Sequence, residues 1–273
     1  MRARNLVQLL GIRGGARHYP YEMVPYEIGQ GETVRFPQWT HPAESTKVMT
    51  PRLVDAYRAL ISEGDFCVDI GAHSGDTALP MAVAAGRTGC VLALEPNPFV
   101  YPVLEKTRRA NAHLTHIQTI MAAAAAEEGF MEFEYSDSGY CNGGRHHGIS
   151  PFRHGHAFKL KVFAINLEAE LRSDFAALLP RLRFIKVDAE GYDLEVLKSI
   201  EGVVREFRPV IKAEVFKKTD RAYREGMLEY FRGLDYSVKK IREDPLAEGA
   251  DLTMESLGAG EHYDILARPA ENT

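Results

Sequence analysis

The sequence predicts an α/β protein with a doubly wound, mostly parallel sheet of the Rossmann type that ends in an antiparallel hairpin. From residue 63 onward, short apolar runs of strand length alternate with stretches of helical periodicity. The run Phe66–Ile70 leads through a glycine-containing turn into a helix, an arrangement typical of nucleotide-binding sheets. Two late apolar runs, Tyr236–Ile241 and 263–268, have no helix between them, so they form the hairpin.

The first 62 residues are predicted to form an N-terminal extension that contributes to a ligand pocket, followed by one domain over residues 63–273. Prolines and paired glycines interrupt the extension, which leaves room for one or two short strands, at 33–36. A helix is expected over 51–62, because Pro51 suits the first helical position and Thr50 suits the N-cap.

Within the domain, periodicity predicts each element in turn. The predicted parallel strands are Phe66–Ile70, Cys90–Leu94, 117–122, 183–187 and Val210–Val215. The predicted helices are 76–85, 99–112, 194–207 and 220–234. Residues 130–135 and 157–165 alternate apolar and polar side chains, which predicts an added pair of strands around a histidine-rich loop. The alanine run 122–126 is expected to be a strand end that passes into a turn.

Composition narrows the class of protein. A net charge of −5 gives no basic surface for nucleic acid. No apolar run reaches the roughly 18–20 residues of a membrane span, and the apolar patch near the N-terminus is too short and broken for a signal peptide. The three cysteines are widely spaced, which indicates reduced thiols and a cytoplasmic protein.

The turn after the first predicted strand favours S-adenosylmethionine over a dinucleotide. A dinucleotide site needs the pattern G-x-G-x-x-G, but the middle glycine is absent here. An acid at the start of the next helix would repel a pyrophosphate, whereas an acidic loop suits the cationic ammonium and sulfonium of S-adenosylmethionine. The candidate cofactor residues of this turn are Asp69, Gly71, His73, Ser74, Gly75, Asp76 and Thr77.

Two further strand ends complete the predicted cofactor site. Glu95 follows Gly75 by about 20 residues, the spacing at which such folds place a carboxylate on a ribose diol. The end of the second strand also delivers Pro96 and Asn97, and the end of the third delivers Met121 and Ala122.

Carboxylates at the later strand ends are candidates for acid–base chemistry. Asp188 follows the fourth strand, with Glu190 next to it, and Glu214 ends the fifth. Like charges held close together raise the pKa of one another, which is one way in which a general base is made. Asp193 is expected to cap the following helix.

Three roles are open for the histidine-rich loop 145–156. It could close over the acceptor pocket, with His147 as a proton shuttle. Alternatively, it could bind a metal or be a solvated loop. Its spacing matches no closed zinc pattern, so no metal ligands are assigned.

Three segments resemble the FkbM family of S-adenosylmethionine-dependent methyltransferases. They are VDIGAHSGDT at 68–77, LEPNP at 94–98 and IKVDAEGYDLEVL at 185–197. The resemblance implies a class I methyltransferase fold and, most often, O-methylation of a hydroxyl on a sugar, polyketide or other natural product. It places residues 69–76 around the methionyl end of the cofactor, Glu95 on the ribose and Asn97 beside the adenosine. It places Met121 with Ala122 at the adenine, and Asp188 near the transferred methyl. His73 stands where the family commonly has asparagine.

These observations combine into one hypothesis. The chain is a methyltransferase whose acceptor is a small molecule with a hydroxyl group. Asp188 accepts the acceptor's proton, supported or replaced by Glu190, Glu214 or a loop histidine. N-methylation, a divalent metal between Asp188 and Glu214, a dinucleotide oxidoreductase and a cofactor-binding protein without turnover remain alternatives, and a homo-oligomer is left open.

Overall fold

An eight-stranded sheet forms the centre of the protein. The computed structural model describes residues 16–135, 137–141, 143, 158–241, 246–258 and 260–270. Its strands there are β1 (Tyr21–Gly29), β2 (Glu32–Trp39), β3 (Phe66–Ile70), β4 (Cys90–Leu94), β5 (Ile117–Ile120), β6 (Ala123–Ala125), β7 (Gly129–Tyr135), β8 (Phe158–Asn166), β9 (Leu182–Val187), β10 (Val210–Val215), β11 (Tyr236–Ile241), β12 (Glu248–Asp251) and β13 (Tyr263–Pro269). Its α-helices there are α1 (Pro51–Arg58), α2 (Ala78–Ala85), α3 (Tyr101–Ala110), α4 (Leu167–Ser173), α5 (Asp193–Ser199), α6 (Glu201–Phe207) and α7 (Arg221–Gly233), and Leu179–Arg181 form a 3₁₀ turn.

The strand order of the central sheet confirms the predicted topology. The order is β12-β11-β13-β10-β9-β3-β4-β5. Strands β5, β4, β3, β9 and β10 are parallel, while β13 is antiparallel to both β10 and β11. The hairpin expected at the end of the chain is therefore present, and the edge strand β12 was not predicted.

Helices cover both faces of this sheet, and β3 shows why. Every residue of β3 is buried, and successive side chains point to opposite faces. Val68 packs in the core with α4, α5, α6 and α7, whereas Cys67 packs in the core with α1, α2 and α3. A strand that is apolar on both faces is the pattern of a doubly wound sheet.

The chain leaves the central sheet after β5. The predicted third strand, 117–122, ends at Ile120, and the alanine run forms β6 instead of a turn. Alanine is a poor strand former, but parallel pairing of β6 with β8 overrides this preference. Strands β7 and β8 pair antiparallel, as predicted, and together with β6 they make a separate three-stranded sheet.

The region 194–207, predicted as one helix, is two. Ile200 has φ −119° and ψ 18°, outside the helical range, so α5 ends and α6 begins around it. Apolar periodicity continues through this break, because Leu197, Ile200 and Val204 all face the same core.

The N-terminal extension contains a long hairpin rather than the one or two short strands that were expected. Strands β1 and β2 pair along nearly their whole length. Asn111, at the end of α3, holds β2 by accepting from Arg35 N and donating to Arg35 O, each at 2.9 Å. Thr50 caps α1 as predicted, with its hydroxyl accepting from Leu53 N. None of the described helices is both long and apolar enough to cross a membrane.

Candidate functional site

A cavity of about 410 Å³ lies at the carboxyl ends of β3, β4 and β9. This is where open α/β sheets bind their ligands, and the volume is within the range of small-molecule sites. Most of the predicted site residues line it: Gly71, His73, Asp76, Thr77, Glu95, Pro96, Asn97, Ala122, Asp188 and Glu190.

The turn after β3 is shaped by close backbone contacts. Gly71 has φ +77°, and a Cβ placed on it would lie 2.0 Å from the carbonyl oxygen of Asp188. Only glycine allows this approach. The amides of Gly71 and Ala72 both donate to Leu94 O, which ties the turn to the end of β4.

Glu95 is buried in the cavity wall and is held by main-chain amides. Its Oε2 accepts from His73 N and its Oε1 from Asn97 N, both at 2.8 Å. Burial raises the pKa of Glu95, and the charge of His73 and these hydrogen bonds oppose the rise. The Asn97 side chain accepts from Phe99 N and donates to Tyr140 O, so it fixes the loop that follows β4.

A buried lysine that sequence reasoning left without a functional role joins two of the predicted acids. Lys186 Nζ lies 3.3 Å from Asp69 Oδ1 and 3.4 Å from Asp188 Oδ2, and it donates to Gly71 O at 2.7 Å. Burial alone would lower the pKa of Lys186, but Asp69 and Asp188 raise it, so the ammonium stays charged. Apart from this ion pair, the Asp69 carboxylate has no hydrogen-bond partner among the described residues; burial raises its pKa, and Lys186 opposes the rise.

The turn after β9 carries the remaining cavity carboxylates. Glu190 has φ +53°, an uncommon conformation for a residue other than glycine. Burial, followed by the charge of Asp188, raises the pKa of Glu190 to about 7.

Asp193 does not cap α5 as expected, because Tyr192 takes the N-cap position. The Asp193 carboxylate instead accepts from Ala189 N at 3.2 Å and Gly191 N at 3.1 Å, so it braces the preceding turn. Burial raises its pKa.

Four cavity residues come from the loop between β2 and α1, and sequence reasoning missed the two charged ones, Glu44 and Lys47. Lys47 Nζ lies 3.2 Å from Asp76 Oδ2 and 3.2 Å from Glu44 Oε1. Burial alone would raise the pKa of Asp76, but Lys47 lowers it. The acid at the start of α2 is therefore ion-paired, a contact between distant segments that no sequence motif announces.

The other predicted residues lie near the cavity without lining it. Ser74 and Gly75 pack on α3, where Thr107 Oγ1 donates to Ser74 O at 2.7 Å. Met121 is half exposed. Glu214 lies behind the cavity wall, with its Oε1 3.5 Å from His262 Nε2, and burial followed by Asp188 raises its pKa. His147 and the histidine-rich loop lie outside the described residues.

The family model described as "Methyltransferase FkbM domain" matches residues 69–243, which is more than half of the chain. The chain belongs to the FkbM family of S-adenosylmethionine-dependent methyltransferases. The resemblance carried by the three sequence motifs is thereby confirmed, and so is the class I fold.

Several solved structures are similar to this chain at low sequence identity. An FkbM methyltransferase from Methylobacillus flagellatus KT is 15% identical, with a TM-score of 0.47 over 77% of this chain and 47% of the other. The present chain thus spans about half the length of that protein. Aeropyrum pernix fibrillarin, solved with S-adenosyl-L-methionine, is 15% identical, with a TM-score of 0.44 over 93% and 84% of the two chains. M. jannaschii TYW2, in complex with AdoMet, is 16% identical, with a TM-score of 0.43 over 93% and 87%. None of the curated proteins searched matched this sequence.

The residues of this FkbM family member fit S-adenosylmethionine. Beyond its ion pair with Lys186, the buried Asp69 carboxylate has no hydrogen-bond partner among the described residues, so it keeps the acceptor capacity that an ammonium requires. Gly71 leaves no side chain between the turn and the cavity. Glu95 presents a carboxylate whose orientation is set by two amides.

Among the described residues, one group combines side chains that ligate metals. Glu44, His73 and Cys141 bring their ligand atoms within 4.8 Å of one another at the edge of the cavity. Two of them, Glu44 and His73, also line the cavity.

Proposed function

We propose that this protein transfers the methyl group of S-adenosylmethionine to a hydroxyl of a small molecule, such as a sugar or another natural product. The observation that carries the proposal is Glu95, a buried carboxylate held by two amides in the wall of a 410 Å³ cavity, beside the Gly71 turn of an FkbM-family chain. A carboxylate in this position suits the two hydroxyls of a ribose.

The charges around the cavity suit the methionyl end of S-adenosylmethionine, which carries both an ammonium and a carboxylate. Asp69, whose only ion pair among the described residues is with Lys186, supplies a carboxylate for an ammonium, and Lys47, which is paired with Asp76 and Glu44, supplies an ammonium for a carboxylate. A dinucleotide would instead bring a pyrophosphate to the start of α2, where Asp76 lies. Pro96 and Ala122 provide apolar wall for an adenine ring, and Asn97 borders it.

The reaction requires one proton acceptor beyond the cofactor. S-adenosylmethionine, when bound, supplies an electrophilic methyl on a sulfonium. An alcohol attacks it only as its own proton leaves, so a carboxylate at the cavity must accept that proton. Asp188 and Glu190 both line the cavity, and Lys186 holds Asp188 at 3.4 Å.

We assign the proton acceptor to the turn that carries both acids, with Glu190 as the base. A general base works best when its pKa is near the working pH, and the pKa of Glu190 is about 7. Asp188, which the sequence favoured, contributes the negative charge that helps to raise this pKa. Glu214, the third candidate, does not line the cavity, which weakens the proposal of a metal shared between it and Asp188.

Calorimetric titration with S-adenosylhomocysteine, with NAD in parallel, tests the cofactor assignment. We expect micromolar binding of S-adenosylhomocysteine and no binding of NAD. Glu95→Gln should weaken it at least 100-fold, because one carboxylate acceptor becomes an amide donor that faces an N–H group. Glu132→Gln, which changes a half-exposed side chain of β7, is the matched control and should bind normally. Equal binding of S-adenosylhomocysteine by the wild type and Glu95→Gln would refute the ribose role of Glu95. The acceptor is tested separately, by transfer of labelled methyl to a panel of sugars and polyketides.

A further inference from the structure

We infer that Glu44, His73 and Cys141 form a zinc-binding site at the edge of the cavity. Glu44 Oε2 lies 3.6 Å from His73 Nε2 and 3.6 Å from Cys141 Sγ. All three ligand atoms fall within 4.8 Å of one another. The inference rests on these contacts and does not depend on the proposed methyl acceptor.

The spacing matches a tetrahedral zinc ion. Zinc lies about 2.0–2.3 Å from nitrogen, oxygen and sulfur ligands, so neighbouring ligand atoms of a tetrahedron are about 3.3–3.8 Å apart. The two contacts of Glu44 fall inside this interval. Small side-chain rotations would bring the third pair to the same separation, because no two of the ligand atoms are more than 4.8 Å apart.

The donor set also selects the metal. A thiolate, an imidazole and a carboxylate together suit zinc, whereas magnesium and calcium prefer oxygen ligands alone. A mixed site with three protein ligands leaves a fourth position open. That position faces the cavity, because Glu44 and His73 are both part of the cavity wall.

The surroundings hold each ligand in place. His73 has φ +49°, and its amide donates to Glu95. Its Nδ1 lies 3.3 Å from Ser74 Oγ, which leaves Nε2 directed at Glu44. Cys141 is 1% exposed and packs in a cluster with Trp39. Partners of this kind around a ligand fix its orientation and raise metal affinity.

A divalent cation would balance the local charge. Glu44 and Asp76 contribute two negative charges, and Lys47, within 3.2 Å of both, contributes one positive charge. In the structure Cys141 donates its thiol proton to Glu44. Zinc binding would release that proton to solvent and form a Zn–S bond, so the site would then hold two net negative charges against the Zn²⁺.

Zinc would tie together three segments that are distant in the sequence. Glu44 belongs to the β2–α1 loop, His73 to the turn after β3, and Cys141 to the segment after β7. A ligand that binds only the folded state raises the melting temperature. For a chain of this size, zinc at a hundredfold excess over its Kd should raise it by about 5–10 °C.

Metal binding to the purified chain, treated first with chelator, tests the inference. We expect one zinc per chain that depends on Cys141, together with the melting shift. Cobalt(II) should give a thiolate-to-cobalt charge-transfer band. Cys141→Ala should abolish the band, and His73→Asn and Glu44→Gln should each weaken binding at least 10-fold.

Two variants serve as matched controls. Cys90→Ala removes a buried thiol in β4, and His113→Asn removes an exposed imidazole, so both should bind as the wild type does. The absence of a charge-transfer band in the folded wild type would overturn the inference. A zinc affinity and melting shift unchanged in Cys141→Ala would also overturn it.

Discussion

Gly71 is the residue at which the cofactor turn tolerates no side chain. In Gly71→Ala the added methyl meets the Asp188 carbonyl at 2.0 Å, and φ stays at +77°. We expect a loss of about 3 kcal/mol or more in the free energy of unfolding, together with loss of S-adenosylhomocysteine binding. Urea unfolding and calorimetry measure the two effects.

Gly31 provides the control for this prediction. It has nearly the same φ, +76°, but an added Cβ would meet no atom within 4 Å. Gly31→Ala should therefore lose only the conformational cost of about 1–2 kcal/mol and bind normally. Equal losses in the two variants would show that the contact with Asp188 is unimportant.

If Glu190 is the general base, its pKa determines the pH dependence of methyl transfer. A base acts only when it is deprotonated, so kcat/KM should rise with pH through about 7 and level off above it. Glu190→Gln should lower kcat at least 100-fold and remove the inflection near pH 7. Asp188→Asn should move the inflection to lower pH, because it removes a charge that raises the pKa of Glu190. A profile that is flat from pH 5 to pH 9 would favour Asp188 as the base.

At the residue scale, the sequence predicted the location of those candidate residues that follow a strand directly. Glu95 and Asp188 lie at strand ends, and the carboxyl ends of parallel strands meet at one edge of the sheet. Lys47 and Glu44 come from an irregular loop, and their places depend on how the N-terminal hairpin packs on α3. No local pattern encodes packing of that kind.

Among the elements, α7 depends on one buried cation. Arg224 donates to the carbonyls of Phe216, Thr219, Leu257 and Glu261 at distances from 2.7 to 3.3 Å. It is 1% exposed, and its guanidinium also lies 5.5 Å from the Tyr263 ring. These bonds tie the helix to the segment that precedes β13.

Replacement of Arg224 by methionine tests this arrangement. Buried carbonyls would lose their donors, so we expect a loss of about 3 kcal/mol in the free energy of unfolding. Arg221→Met, on the exposed side of the same helix, should change it by less than about 1 kcal/mol. Similar losses in both variants would show that the helix needs an arginine only for its charge.

The predicted boundaries of strands and helices were wrong where tertiary contacts override the local pattern. Strand β6 is built of alanine and exists because β8 lies beside it. The break at Ile200 is invisible in the sequence, because the apolar side chains before and after it face the same core. In contrast, the bounds of β3, β4 and β10 were predicted correctly, since each is a short apolar run between polar turns.

For the molecule as a whole, the doubly wound sheet was predictable because its alternation of strand and helix repeats along most of the chain. The three-stranded sheet and the hairpin β1–β2 were less so, because they pack beside the sheet rather than continue it. One consequence of the sheet is that several carboxylates collect at its carboxyl edge. Their shared burial links the stability of the whole fold to pH.

Glu214 makes the free energy of unfolding fall as the pH rises. Burial and Asp188 raise its pKa above the ordinary value of 4.5, so the folded state keeps a proton that the unfolded state releases. Its contribution to the free energy of unfolding is therefore complete below pH 4.5 and falls as the pH rises toward the raised pKa. Glutamine cannot ionise, so the free energy of unfolding of Glu214→Gln does not fall in this way. Relative to the wild type, it should rise by on the order of 2 kcal/mol between pH 5 and pH 9.

Urea unfolding of both proteins at pH 5, 7 and 9 measures this difference, and Glu105→Gln serves as the control. Hydrogen bonds from Arg108 lower the pKa of Glu105 to about 2, and burial opposes them only partly. Both its folded and its unfolded pKa therefore lie below pH 5, so the difference between that variant and the wild type should stay constant from pH 5 to pH 9. If Glu214→Gln also shows a constant difference, the carboxylate is ionised in the folded protein and a neighbouring cation compensates its charge.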